Sequence, residues 1–330
     1  MKALIFSDIQ FYNNPSKSIV LANGRYSWFD QQMQTAEKIF KIAGDRSISK
    51  IIHNGDLFEE KTRINVGLYN DVWKFFAEKA KEGFKIILNT GNHDMLSTQE
   101  SSLTPFSEIC TVITEPTGMA FDKVYFRFLP YGQTSNNLKL PTGNEFHILF
   151  THETISGLTL GPCDYELATP FKQQLFGDWD IVFNGHIHKP QNHKNIINIG
   201  SPVIQSFGEM GEKKRIIILE DDKPESVELD GPEFIELSRL TEKLKKKIAK
   251  DSYNFYRIDI SSDQLKDPIF DKHNVFSKVV KTKTREIRLK KTNGIKDEIG
   301  KYVKTSKTEL DKDKLIKLGY GFHQKVKEGN

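Results

Sequence analysis

Carboxylate, imidazole and amide side chains recur in this 330-residue chain at one kind of place, just after a short apolar run. Asp8 follows Ala3-Leu4-Ile5-Phe6, and Gly55-Asp56 follows Ile51-Ile52. Gly91-Asn92-His93-Asp94 follows Phe84-Lys85-Ile86-Ile87-Leu88, His152 follows His147-Ile148-Leu149-Phe150, and Gly185-His186-Ile187-His188 follows Asp180-Ile181-Val182-Phe183. Such runs read as buried strands, so the polar groups stand on loops at strand C-terminal ends, where α/β sheets carry chemistry. Singly, each has an ordinary explanation: a turn carboxylate, a satisfied buried histidine, an alternating strand end. Their repetition points to one shared site.

Two divalent metal ions held close together need oxygen and nitrogen ligands from several loops and a carboxylate able to bridge them. Asp56 is the best bridge, because the glycine before it lets the backbone turn sharply. Asp8, Gln10 and His188 would complete one site; Asn92, His152 and His186 would complete the other. This donor set suits Mn²⁺, Fe²⁺ or Zn²⁺ better than Ca²⁺, and without thiolates it does not resemble a structural zinc site. The donors alone leave the choice among these three open. Such a centre activates water for attack on a phosphodiester and neutralises the charge that develops. His93 is placed to protonate the leaving oxygen or stabilise the transition state, with Asp94 orienting it.

The elements that must position these residues can be read from periodicity. Phe29, Met33, Ala36, Ile39, Phe40 and Ala43 recur at helical spacing between Trp28 and Ala43, and Leu68, Val72, Phe75 and Phe76 do so between Val66 and Ala80. The order β-α-β-α-β favours a parallel sheet with crossover helices. From Val124 the strands shorten: Val124 to Leu129, His147 to Phe150, Asp180 to Phe183, Ile196 to Ile199 and Arg215 to Leu219. Glu220-Asp221-Asp222-Lys223-Pro224 reads as a hairpin turn. Residues 253–260 and 275–290 look like strands of a small α+β unit, and Ile295 to Lys327 reads as charged helix.

Hydrophobic content of 37% and charged content of 28% fit a folded chain with one large domain and smaller additions. Two cysteines, Cys110 and Cys163, are too few for a disulfide framework and point to a reducing compartment. The first residues are too short an apolar run for a signal peptide, and no stretch reaches a membrane span, so a cytoplasmic location without a membrane partner is expected. Residues 241–330 hold 24 Lys and Arg against 13 Asp and Glu, leaving 24 against 31 for residues 1–240. The basic quarter is either a solvated surface or a contact for a polyanion such as DNA.

In order, Asp8-Ile9-Gln10, Gly55-Asp56, Gly91-Asn92-His93-Asp94, His152 and Gly185-His186-Ile187-His188 resemble the five motifs of the calcineurin-like metallophosphoesterases. Gly185 to Gln191, followed by Gly200-Ser201-Pro202-Val203-Ile204-Gln205-Ser206-Phe207-Gly208-Glu209, resembles the SbcD-type DNA repair nucleases, and generic phosphatases rarely share this continuation. The resemblance covers residues 1 to about 220. It implies an α/β fold, a four-layer α-β-β-α sandwich (1–230), followed by a small α+β capping, DNA-binding domain (231–290) and a helical tail (291–330). It further implies endonuclease and 3′–5′ exonuclease activity on DNA ends that depends on two divalent ions, Mn²⁺ first and Mg²⁺ as the alternative, homodimerisation, and a tail that binds an SbcC-type coiled-coil ABC ATPase. The compact size and tail resemble bacteriophage members that act in recombination and replication.

One departure stands out: the family's first motif is Asp-x-His, and here the second position is Gln10. A glutamine oxygen is a weaker donor than imidazole. Reduced affinity at that one site, with activity kept at millimolar Mn²⁺, is the expectation. Two other readings are a metal-dependent phosphatase of small phosphomonoesters and a non-catalytic DNA-end scaffold.

Overall fold

Strand β1 (Lys2–Phe6) is buried on both faces: Leu4 and Phe6 point one way, Ala3 and Ile5 the other. A strand of this kind belongs between two layers. The computed structural model describes residues 1–97, 100–121, 123–138, 145–161, 165–166, 168–280 and 294–328. After β1 come α1 (Ser27–Asp45), β2 (Lys50–Asn54), α2 (Val66–Lys81), β3 (Lys85–Asn89), β4 (Thr111–Ile113), β5 (Thr117–Phe121), β6 (Val124–Leu129) and β7 (Phe146–Thr151). The two-residue strands β8 (Thr159–Leu160) and β9 (Tyr165–Glu166) follow, then β10 (Ile181–Asn184), β11 (Gln191–His193), β12 (Ile196–Asn198), β13 (Arg215–Glu220) and β14 (Lys223–Glu228). Last are β15 (Phe234–Leu237), α3 (Glu242–Lys250), β16 (Phe255–Ile260), β17 (Val275–Val279), α4 (Ile295–Thr305) and α5 (Lys312–Glu328).

Two six-stranded sheets result, ordered β14-β13-β1-β2-β3-β4 and β11-β12-β10-β7-β6-β5. In the first, β1, β2, β3 and β4 run parallel; in the second, β12, β10, β7 and β6 do. Antiparallel strands form three of the four edges, β14, β11 and β5, and the β13–β14 hairpin pairs Glu220 with Lys223. Helices α1 and α2 cover the outer face of the first sheet, where Phe40 meets Phe75, Phe76 and Phe84 edge to face. Phe40, Phe75 and Phe76, the buried rings of this set, are each worth on the order of 2 kcal/mol. Between the sheets, Ile5, Ile52 and Ile87 meet Phe126, Phe128, Phe150 and Phe183, with Phe128 stacked on Phe150 at 4.7 Å. The fourth layer is thin: Phe171, Phe176 and Trp179, from loops and a short 3-10 turn, cover Leu129, Leu149 and Val182.

The chain divides into two compact units, residues 1–279 and 280–330. Within the first lies a third, parallel sheet, β15-β16-β17, with α3 placing Ile248 against Tyr256, Ile258 and Ile260. Of the strand expected over 275–290, β17 ends at Val279, and 281–290 lie outside the described residues. In the second unit α4 and α5 form a close pair, because Gly319 leaves room for Ile299: a Cβ there would lie 2.7 Å from Ile299 Cγ2. Its Ile295, Tyr302, Leu310, Leu318 and Phe322 are exposed. Among the described residues no helix is long and apolar enough to cross a membrane. Cys110 is a half-buried free thiol, and Cys163 lies outside the described residues.

Candidate metal centre

The C-terminal ends of β1, β2, β3, β7 and β10 converge, and the backbone there is strained. Asp8 (φ 56°), Gln10 (φ 48°), Asp56 (φ 57°) and His186 (φ 78°) all adopt the left-handed conformation that side chains disfavour. Each costs about 1–3 kcal/mol and persists only where surrounding contacts over-determine it. Those contacts are present. Asp8 N donates to Gly55 O at 3.0 Å, Gln10 N to Asp56 O at 3.1 Å, and His186 N to Asp8 Oδ1 at 3.0 Å. Two glycines permit the close approach: a Cβ at Gly55 would lie 2.1 Å from His152 Nδ1, and one at Gly91 would lie 2.2 Å from Asp56 Oδ1. Beneath the loops, buried asparagines tie the sheets together. Asn89 Nδ2 donates to Asn54 Oδ1 at 3.0 Å, and Asn54 Nδ2 donates to Thr151 O and Phe183 O at 2.8 and 3.2 Å.

The side chains of the expected ligands meet above this base. His152 Nδ1 lies 2.8 Å from Asn54 O and donates to it, which aims Nε2 at Asp56 Oδ2 (3.2 Å) and Asp8 Oδ1 (3.7 Å). Nε2 is buried and lacks the alignment for a hydrogen bond with either. One donor atom from each of Asp56, His152 and His186 lies within 4.8 Å of the others. Asn92 Oδ1 stands 2.7 Å from His186 Nδ1, and Gln10 Nε2 donates to Asp56 Oδ2 at 3.4 Å. His188 Nδ1 meets Glu209 Oε1 at 3.3 Å, so Nε2 is the ring nitrogen left for a metal.

The charges are strongly coupled. Burial raises the Asp8 carboxyl, with the His152 charge opposing. Burial would raise Asp56 too, but His152 and His93 hold it well below the carboxylate range. Against its own burial, His152 is pushed up to about 10 by Asp56 and Asp8. Burial, reinforced by His152, lowers His186 to about 4. Glu209 is held near about 2, since His188 and Lys214 outweigh its burial. Two buried carboxylates around a ring nitrogen with no hydrogen-bonded partner form a site that a cation fits, since buried charge demands compensation.

Asp94 does not orient His93. Its carboxylate accepts from Asp56 N (2.7 Å), Leu57 N (3.0 Å) and Gly91 N (2.9 Å), a clamp between the loops after β2 and β3. The turn that brings Asp94 N to Gly91 O at 3.2 Å folds the carboxylate beneath the loop, away from its neighbour's ring. The His93 ring is oriented instead by the Glu59 carbonyl, which Nδ1 contacts. Sequence reasoning also passed over Glu209, Gln205 and Lys214. Glu209 Oε2 takes Lys214 Nζ at 2.7 Å and Gln205 N at 3.2 Å, so the segment after β12 braces His188. The signal was available: Glu209 ends the Gly200–Glu209 motif.

Residues 1–190 match the family model described as calcineurin-like phosphoesterase. None of the curated proteins matches the chain. Among solved structures the chain is similar to an archaeal phosphodiesterase, with 15% identity over 69% of this chain and 100% of that one and a TM-score of 0.36. It is similar to Yfce, a phosphoesterase from E. coli, at 17% identity over 67% of this chain and 89% of that one, TM-score 0.35. It is also similar to the Pseudomonas putida nuclease MPE, at 13% identity over 68% and 87%, TM-score 0.32. Likeness this distant says nothing about substrate.

Proposed function

The chain belongs to the calcineurin-like phosphoesterase family, and we propose that within it the protein is an SbcD-type DNA nuclease subunit, manganese-dependent and acting on DNA ends. The observation that carries this reading is the use made of the Gly200–Glu209 segment, the part of the sequence that resembles SbcD-type nucleases rather than phosphatases at large. Its Gln205 Nε2 donates to Asp8 O at 2.8 Å and its Glu209 braces His188, so the discriminating motif is built into the centre.

Asp8, Gln10, Asp56 and His188 would hold one divalent ion, and Asp56, Asn92, His152 and His186 the other. When bound, the ions supply charge neutralisation at the phosphodiester and activation of water. The chain's own groups do the rest. Asn54 O fixes the His152 ring with Nε2 inward. Glu59 O occupies His93 Nδ1, which leaves Nε2 to face the substrate and pass a proton to the leaving 3′ or 5′ oxygen. His93 N donates to Asp56 Oδ1 at 2.8 Å, which ties the proton donor to the carboxylate that both ions would share.

The tail 291–330 is proposed to bind an SbcC-type coiled-coil ATPase; the exposed apolar residues of α4 and α5 support this. A homodimer and a bacteriophage source belong to the same reading. The test compares turnover of end-labelled double-stranded DNA with turnover of a small phosphomonoester, each with Mn²⁺, Mg²⁺ or EDTA. Mn²⁺-dependent DNA cleavage with little phosphomonoester turnover supports the nuclease. The reverse would establish a phosphatase, and salt-sensitive DNA binding without cleavage would establish a scaffold. Deleting 291–330 should leave cleavage of a short substrate intact and abolish its stimulation by an added ATPase partner and ATP.

A further inference from the structure

Lys17 stands on the loop that leaves Gln10, at the end of a short turn, Pro15–Lys17. Its ammonium lies 5.3 Å from the centroid of the Trp28 ring and 5.2 Å from that of Phe234, and it donates to the Gln205 carbonyl at 2.9 Å. Gln205 is a junction. Its Nε2 donates to Asp8 O at 2.8 Å and its backbone N to Glu209 Oε2 at 3.2 Å, while Glu209 Oε1 meets His188 Nδ1 at 3.3 Å. On the other side, Phe234 opens β15, stacks on Phe255 of β16 at 4.7 Å, and takes Phe207 edge-on at 4.9 Å. Trp28 lies edge-on to both Phe234 and Phe255.

We propose that Lys17 and Gln205 are positioning residues that hold the Asp8–His188 half of the metal centre and couple it to the third sheet. Asp8 is in the left-handed region, so its peptide must be held from outside, and Gln205 Nε2 is the group that holds its carbonyl. Lys17 fixes Gln205 in turn. An apolar side chain would fill the space between Trp28 and Phe234 without the desolvation that an ammonium suffers. What the ammonium adds is the bond to the Gln205 carbonyl. Outer contacts of this kind matter most at the half that uses Gln10, the weaker donor.

The inference rests on the metal-centre part of the proposed function and not on its DNA part. The test is Mn²⁺ binding to the full chain, by calorimetry and electron paramagnetic resonance, together with amide hydrogen exchange. In Lys17→Met one site should lose about 10-fold or more in affinity while the other is unchanged, and Lys17→Arg should recover most of the loss. Saturating Mn²⁺ should slow exchange in β15 and β16 of the wild type, and do so less in Lys17→Met. Gln205→Met, which leaves the aromatic contacts intact, carries the same expectation if Lys17→Met does not fold. A folded variant with wild-type affinity at both sites would overturn the proposal, as would equal slowing of exchange. A wild type that binds no Mn²⁺ would overturn both the metal reading and this inference. Tight Mn²⁺ binding without DNA cleavage would overturn only the nuclease reading.

Discussion

Replacing Asp94 by alanine removes the acceptor for three buried backbone N–H groups, those of Asp56, Leu57 and Gly91. Each buried donor left unsatisfied costs about 1–3 kcal/mol. Against this, the carboxylate is itself costly to bury: burial first, then the Asp56 charge, push its carboxyl from 3.8 up to about 7. At about 1.4 kcal/mol per unit, removing that charge returns roughly 4 kcal/mol at most. Three donors at mid-range, roughly 6 kcal/mol, less that return leave a net expected loss of about 2 kcal/mol, or a fall of roughly 4–8 °C in Tm for a unit of this size. Thermal unfolding of Asp94→Ala and His93→Ala checks it. Asp94→Ala should be destabilised and His93→Ala, half exposed, should not. An Asp94→Ala variant that unfolds with the wild type yet loses activity as His93→Ala does would refute the clamp and restore a role beside His93.

Gly91→Ala drives a Cβ into Asp56 Oδ1, so it should abolish the stabilisation that Mn²⁺ gives the wild type, about 2.7 kcal/mol at 100 times Kd, read as a metal-dependent shift in Tm. Gln10→His should tighten one Mn²⁺ site and leave the other unchanged; two equally tight sites in the wild type would contradict the weaker-donor argument. Asp251 accepts from Tyr256 Oη at 2.6 Å and Asn254 N at 3.0 Å, and these bonds outweigh its burial to hold it near about 2, below its ordinary 3.8. Because the folded value is depressed, its contribution is present above pH ~4 and lost as pH falls through 2. With solvent screening it should amount to about 1 kcal/mol. The urea midpoint of Asp251→Asn should lack that acid-sensitive component.

The parts of the fold that depend on burial were legible in the sequence. Ile51-Ile52 and Ile86-Ile87-Leu88 are buried on both faces, and the helical stripes of α1 and α2 cover one of them. The α3 helix was not legible, because it is only nine residues long and its apolar points, Leu244 and Ile248, stand among Lys243, Lys245, Lys246, Lys247 and Lys250. Nor was β15, four residues long just after Pro232. At the site, residues that follow strands were identifiable because their types are costly in a core and frequent in a site. Their outer contacts were not. Asp94 adjoins His93 in sequence, yet a tight turn sends its carboxylate beneath the loop. Glu209 was visible as the end of the Gly200–Glu209 motif, but that it reaches His188 depends on how the chain returns after β12, which spacing alone does not specify.

The most direct measurement is cleavage of end-labelled double-stranded DNA by the intact chain and by His93→Ala, each with Mn²⁺, Mg²⁺ or EDTA. The account predicts Mn²⁺-dependent cutting by the wild type, none with EDTA, and loss of roughly 100-fold or more in His93→Ala while Mn²⁺ binding persists. Cutting that survives EDTA, or a His93→Ala variant that cuts at the wild-type rate, would contradict it.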